Sequence, residues 1–162
     1  MNETGYKVAT DDVVTAYSFK FPETIGNKIR INATDMNIAD GEYALQLMEV
    51  AAYGERAVGD YALPNANIVS SSVLLSTSTS LEDYGYYKEY LIDTDVETGY
   101  STEEYDSSDH EEWIELDFRR AMKVSEVQLK PAWSGYGFPE DFSIQVLEDG
   151  SWVTALTVEG HE

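Results

Sequence analysis

The sequence has no cysteine and only two histidines, His110 and His161, which excludes disulfides, thiolate metal sites and poly-histidine transition-metal centres. Any resident ion has to be held by oxygen. Cations are scarce too: 10 Lys and Arg stand against 31 Asp and Glu, a formal charge of −21. Such a surface repels nucleic acid and anionic membranes at long range, and leaves neutral ligands and cations as partners. No apolar run approaches the roughly 18 residues of a membrane-spanning helix. No basic-then-apolar leader opens the sequence, which leaves export an open question. Convincing helical periodicity, internal repeats and coiled-coil heptads are missing as well.

What is present is β-structure. Period-two alternation and short apolar runs predict strands near Val14–Phe21, Lys28–Ala33, Tyr43–Tyr53, Ile68–Leu75, Trp113–Phe118, Val124–Lys130, Phe142–Leu147 and Trp152–Val158. Asp149-Gly150 between the last two is a hairpin signal. Residues 55–66 carry Gly and Pro without a clear period and read as a connection between two structured parts. The length of 162 residues suits one domain able to bury its own core. Strands with turn-rich joints predict an all-β fold, a jelly-roll β-sandwich.

From Glu82 to Asp117 nearly every charge is acidic, Lys88 being the exception. Inside that region Asp93, Asp95, Glu97 and Thr98 set hard oxygen donors at near-alternate positions, as calcium requires to fill about six to eight coordination sites. The helix-flanked calcium loop does not fit. It needs Gly sixth, whereas here Thr98 is sixth and Gly99 seventh, between flanks that alternate as strands do. The spacing alone therefore offers two readings, a metal loop in a β-protein or a solvated acidic loop.

Six segments occur in a fixed order: Asn67-Ile-Val-Ser70, Leu91 to Ser101, Trp113-Ile-Glu-Leu-Asp-Phe118, Val124-Ser-Glu-Val-Gln-Leu129, Gly137-Phe-Pro-Glu-Asp-Phe-Ser-Ile-Gln-Val146 and Asp149-Gly-Ser-Trp152. In that order they resemble the discoidin family, also called factor V/VIII type C domains, whose bacterial members include carbohydrate-binding modules. The family's closing segments resemble Lys28-Ile-Arg-Ile31 and Leu47 to Gly54, at the front of this chain. Residues 1–54 thus match the family's end, 55–66 form the linker, and 67–162 match its beginning. Either the chain closes on itself as a circular permutant, or front and back halves swap between copies and drive self-association.

The resemblance implies a structural calcium ion held by Asp93, Asp95, Thr98 and the distant Glu49. Thr94 stands where the family prefers Gly, and Tyr100 where it prefers Trp. A carboxylate at position 49, in an otherwise apolar strand, is costly to bury unless an ion takes it. The resemblance also implies glycan binding by loop aromatics, whose flat rings stack on the apolar face of a pyranose. Trp133, Tyr136, Tyr105, Tyr86 and Tyr87 are the candidates. Trp113 and Trp152 are expected in the core, Phe138 as a loop anchor, His110 in solvent and Arg30 in a structural role. Galactose specificity does not carry over, because the segments Ser101 to Tyr105 and Lys130 to Trp133 lack the family's His and Arg. The leading expectation is a non-catalytic carbohydrate-binding or adhesion module of a secreted or cell-surface bacterial protein. The alternative is a structural spacer that assembles head-to-tail. No nucleophile-base spacing indicates an enzyme. Asn2-Glu-Thr4 and Asn32-Ala-Thr34 fit the glycosylation acceptor pattern.

Overall fold

The computed structural model describes residues 6–8, 15–39, 41–56, 66–70, 72–132 and 137–161. Its strands in chain order are β1 (Tyr6–Val8), β2 (Ala16–Met36), β3 (Ile38–Ala39), β4 (Glu42–Tyr43), β5 (Gln46–Arg56), β6 (Ala66–Asn67), β7 (Leu74–Thr77), β8 (Tyr100–Ser101), β9 (Glu112–Pro131), β10 (Pro139–Glu148) and β11 (Ser151–Val158). Single 3-10 turns at Glu82–Tyr84 and Lys88–Ile92 precede β8.

β2 and β9 are 21 and 20 residues long and run antiparallel as partners. Their pairing breaks twice. Phe21, Pro22 and Glu23 all lie opposite Ser125, between the pairs Lys20↔Glu126 and Thr24↔Val124. Pro22 has no N–H to give a ladder, so this is a natural place for the bulge. Asn27 alone then faces the four residues Phe118 to Ala121, where Arg119 takes φ 57° and donates its N–H to Asp117 Oδ1 at 2.8 Å. Bulges bend and twist strands. On one side of the breaks the order is β11-β10-β2-β9-β7, and on the other β1-β2-β9-β5-β6, with β8 beside the start of β5. Each long strand therefore serves both layers of the sandwich. The sequence suggested two separate strands for each.

The two layers share one core. Ile29, Ile31, Ile114, Leu116, Ile144 and Val146 from the first layer pack in one cluster with Phe19, Val50, Ala52, Val124, Val127 and Leu129 from the second. β2 and β5, from the first third of the chain, lie against β9 from the last, so neither part has a core of its own. Gly54 shows how closely β5 and β9 approach: a Cβ there would lie 1.8 Å from the carbonyl oxygen of Lys123. His161 stands beside the start of β2, with its ring centre 4.6 Å from that of Tyr17 and 5.6 Å from that of Phe19. Burial among these rings lowers its pKa below the usual histidine value.

Other boundaries moved for local reasons. The segment predicted as Tyr43–Tyr53 is interrupted at Ala44 and Leu45, because Leu45 donates its N–H to Thr102 Oγ1 and accepts from Thr102 N, both at 3.0 Å. Ile68 to Ser70 carry no strand, and Ile68 N–H instead donates to Ala52 at 2.8 Å. Glu55 and Arg56 continue β5, while residues 57–65 of the expected connection lie outside the described residues. Trp113 and Trp152 are half-buried on the outer face and not in the core, since Ile114 and Leu116 take the inward phase of β9. Asn32 is 8% exposed in the middle of the sheet and is closed to glycosylation in the folded chain. Gly54→Ala is expected to cost about 3 kcal/mol by forcing β5 from β9, read as a lower urea midpoint with an unchanged slope; an unaltered midpoint refutes the close approach.

Candidate functional site

Because β2 and β9 both turn back at their breaks, their far ends meet at one pole of the sandwich, and the long loops gather there. Backbone bonds tie those loops together: Met36 N–H to Ser108, Tyr43 N–H to Tyr105, Gln46 N–H to Gly137 and Leu81 N–H to Ser101, all 2.8–3.0 Å. Most of the acidic region lies in this cluster.

The Asp93–Thr98 loop hangs from Leu91, which is fully buried. Asp95 N–H donates to Asp93 Oδ1 and Glu97 N–H to Asp95 Oδ1, both at 2.9 Å, and Thr98 Oγ1 donates to Asp93 Oδ2 at 2.8 Å. These short-range bonds turn the side chains of Asp93, Asp95 and Thr98 toward one another. Thr94 takes φ 62°, the left-handed region that a β-branched residue enters only at a cost. Gly would enter this region without that cost.

β5 supplies Glu49, 44 residues earlier than Asp93. Its backbone pairs with Lys130, and its Oε1 is buried without a hydrogen-bond partner. Burial raises the Glu49 pKa above the ordinary carboxylate value; nearby Lys130 opposes the shift, while Asp93 and Asp95 add to it. The structure thus brings Glu49, Asp93 and Asp95 into one electrostatic neighbourhood within a single chain. Among the described residues, however, no three Asp, Glu or His side chains are grouped so as to hold a metal ion as they stand. The donors nonetheless fit calcium in kind: all are oxygens, they are mutually repulsive without a cation, and one is orphaned.

A fully buried carboxylate, unanticipated from the sequence, lies at the same pole. Glu112 is 1% exposed and accepts from Ser78 Oγ and, at 3.1 Å to each oxygen, from Thr79 Oγ1. Its signal was its inward phase with Ile114 and Leu116. Tyr105 also leans on it: burial first, then the charge of Glu112 and a hydrogen bond to it, raise the phenol's pKa. One face of Tyr105 is covered by His110, ring centres 3.9 Å apart, and His110 Nδ1 lies 2.8 Å from Ser107 O. His110 is therefore packed and not free in solvent. Its Nε2 is buried without a partner.

The other predicted ligand residues divide. Tyr87 is exposed and meets Tyr90 edge-on at 5.5 Å, while Tyr86 is half-buried with its N–H on Leu81 O at 3.2 Å. Trp133 and Tyr136 lie outside the described residues. Phe138 is the buried anchor expected, 5.0 Å from Tyr17.

A profile of the F5/8 type C domain matches residues 74–162, more than half of the chain. The chain belongs to this family. No curated protein and no solved structure matches it. F5/8 type C domains are commonly carbohydrate- or ligand-binding modules, generally non-catalytic and typically extracellular. The match starts at the first residue of β7, and β2 and β5, which precede it, complete the sandwich.

The burial of Glu49 gives a pH test with a definite sign. Its pKa is higher folded than unfolded, so the folded state holds more proton and stability is lost as pH rises from about 4.5 through the folded value. In chelator, Glu49→Gln is expected to raise the melting temperature at pH 7, with the difference vanishing below about pH 4.5. A variant that melts lower than wild type at pH 7 without metal contradicts the buried-charge reading.

Proposed function

We propose that this F5/8 type C domain is a non-catalytic carbohydrate-binding or adhesion module of a secreted or cell-surface bacterial protein, pinned by one structural calcium ion. The ion would be held by Asp93, Asp95, Thr98 and Glu49, joining a loop of the last two-thirds of the chain to a strand of the first third. The observation that carries this reading is the unpartnered Glu49 Oε1 in the field of Asp93 and Asp95. A divalent cation offsets that repulsion, satisfies the orphaned oxygen and adds its binding energy to folding. Its chemistry is structural: it fixes the loop pole and activates nothing.

The circularly permuted order belongs to the same reading. Its support is that β2 and β5 reach their places within one chain, and that His161 packs against Tyr17 at the start of β2. Closure within the chain costs less entropy than recruiting a second copy.

A neutral glycan suits the loop pole. Exposed Tyr84 and Tyr87 offer ring faces, and the surrounding carboxylates accept sugar hydroxyls while repelling anions. The spacer alternative draws on Tyr105, whose hydroxyl and one face are already committed to Glu112 and His110.

Calcium is expected to raise the melting temperature, EGTA to reverse it, and Asp93→Ala to remove the response; a midpoint indifferent to added calcium refutes the ion. On a glycan array the chain is expected to give a signal that Trp133→Ala abolishes. A blank array across neutral glycans favours the spacer, and an undiminished mutant signal removes Trp133 from the site.

A further inference from the structure

The face of the first layer that points away from the core carries a built surface made mainly of strand residues and not of the pole's loops. The alternation that buries Ile29, Ile31, Ile114 and Ile144 turns Arg30, Asn32, Trp113, Glu115 and Ser143 outward. Register sets Arg30 between Glu115 and Gln145, and Asn32 between Trp113 and Ser143. Arg30 Nε donates to Glu115 Oε1 at 2.9 Å, and its Cζ lies 4.2 Å from the ring centre of Trp152 and 5.6 Å from that of Trp113. An ion pair and two cation–π contacts thus lock the guanidinium and both indoles into a rigid wall.

Next to this wall is an open cleft of about 300 Å³, lined by Thr34, Ser143, Thr154, Thr157, Asp141 and Glu159 and also by Phe142 and Val158. That volume is at the small end of ligand sites. Asp141 Oδ1 is already engaged by Gly160 N–H at 2.7 Å, which holds the cleft edge in place. Asn32, next to Ser143 in register, is more than nine-tenths buried, yet its Oδ1 has no hydrogen-bond partner. A buried acceptor left unpaired costs about 1–3 kcal/mol, and Asn32 lies beside the cleft without lining it.

We propose that this outer sheet face is a second saccharide-binding site, which takes a neutral sugar through its vicinal hydroxyls. The lining selects the class. Alcohol groups that both donate and accept, with carboxylates that accept, match a polyol. The two carboxylates and the charge of −21 repel anions. The stack of Arg30 on Trp152 stiffens the strand that carries Thr154 into the cleft. This site shares its ligand class with the proposed function and rests on that reading, but uses none of the loop residues.

The test is an amide and indole NMR titration of the full chain with neutral gluco-, galacto-, manno- and xylo-configured disaccharides. At least one sugar is expected to shift the signals of Ser143, Thr154, Thr157 and the Trp152 indole. Thr154→Arg combined with Thr157→Arg, both at exposed positions, is expected to weaken that binding about tenfold or more with melting unchanged. Shifts confined to Tyr86, Tyr87 and Tyr105 overturn the sheet-face site and leave the loop site standing. Undiminished affinity in the double variant also overturns it, and the absence of shifts anywhere refutes both sites together.

Discussion

The constraint on which this molecule depends is the antiparallel pairing of β2 with β9 across two register breaks. Were the ladder continuous, strands of 21 and 20 residues would make one flat sheet with half of their apolar residues in water. The breaks at Phe21 to Glu23 and Phe118 to Ala121 let both strands change layers together. The inward phase is then kept on either side, with Ile29 and Ile31 before one layer's core and Phe19 before the other's. Everything else hangs on this pair: β10 and β11 extend it one way, β5 the other, and the loops collect where the strand ends converge.

That convergence is electrostatically demanding. Half-buried Glu49 and buried Glu112 are carboxylates at the same pole, managed by different means. Glu112 is ringed by Ser78, Thr79 and Tyr105, which donate to it. Glu49 lacks such a ring and instead faces more negative charge from Asp93 and Asp95. Hydroxyl donors can solvate a carboxylate in place; an opposed carboxylate pair calls for a cation. The contrast between the two is the strongest physical argument for treating the Asp93 loop as more than a solvated acidic turn.

Much of the architecture was legible in the sequence because alternation is a geometric property of single strands. Trp113 to Phe118, Phe142 to Leu147 and Trp152 to Val158 all lie in strands, and the Asp149-Gly150 turn joins the last two. Local patterning could not reveal that Val14–Phe21 and Lys28–Ala33 are one strand, because continuity across Pro22 and Gly26 is decided by the partner strand. The outward setting of Trp113 and Trp152 was misjudged for a related reason: their size suggested core, whereas their phase against Ile114 and Leu156 put them outside. Phase was available, and it outweighs size. The neighbourhood of Glu49 with Asp93 came only from the family resemblance, since no residue-level rule links positions so far apart. The Arg30 wall needed coordinates, because it joins three strands that are distant in the chain.

The breaks in β2 and β9 lie at one end of the sandwich and the long loops at the other. Register, layer exchange and strand order are thus settled at the end away from the long loops. Length and composition of the opposite tip can drift without disturbing the mount, as bits are changed in a chuck. A lineage of such domains can therefore acquire new specificities while its framework stays intact, with Gly54 and the Pro22 bulge held fixed.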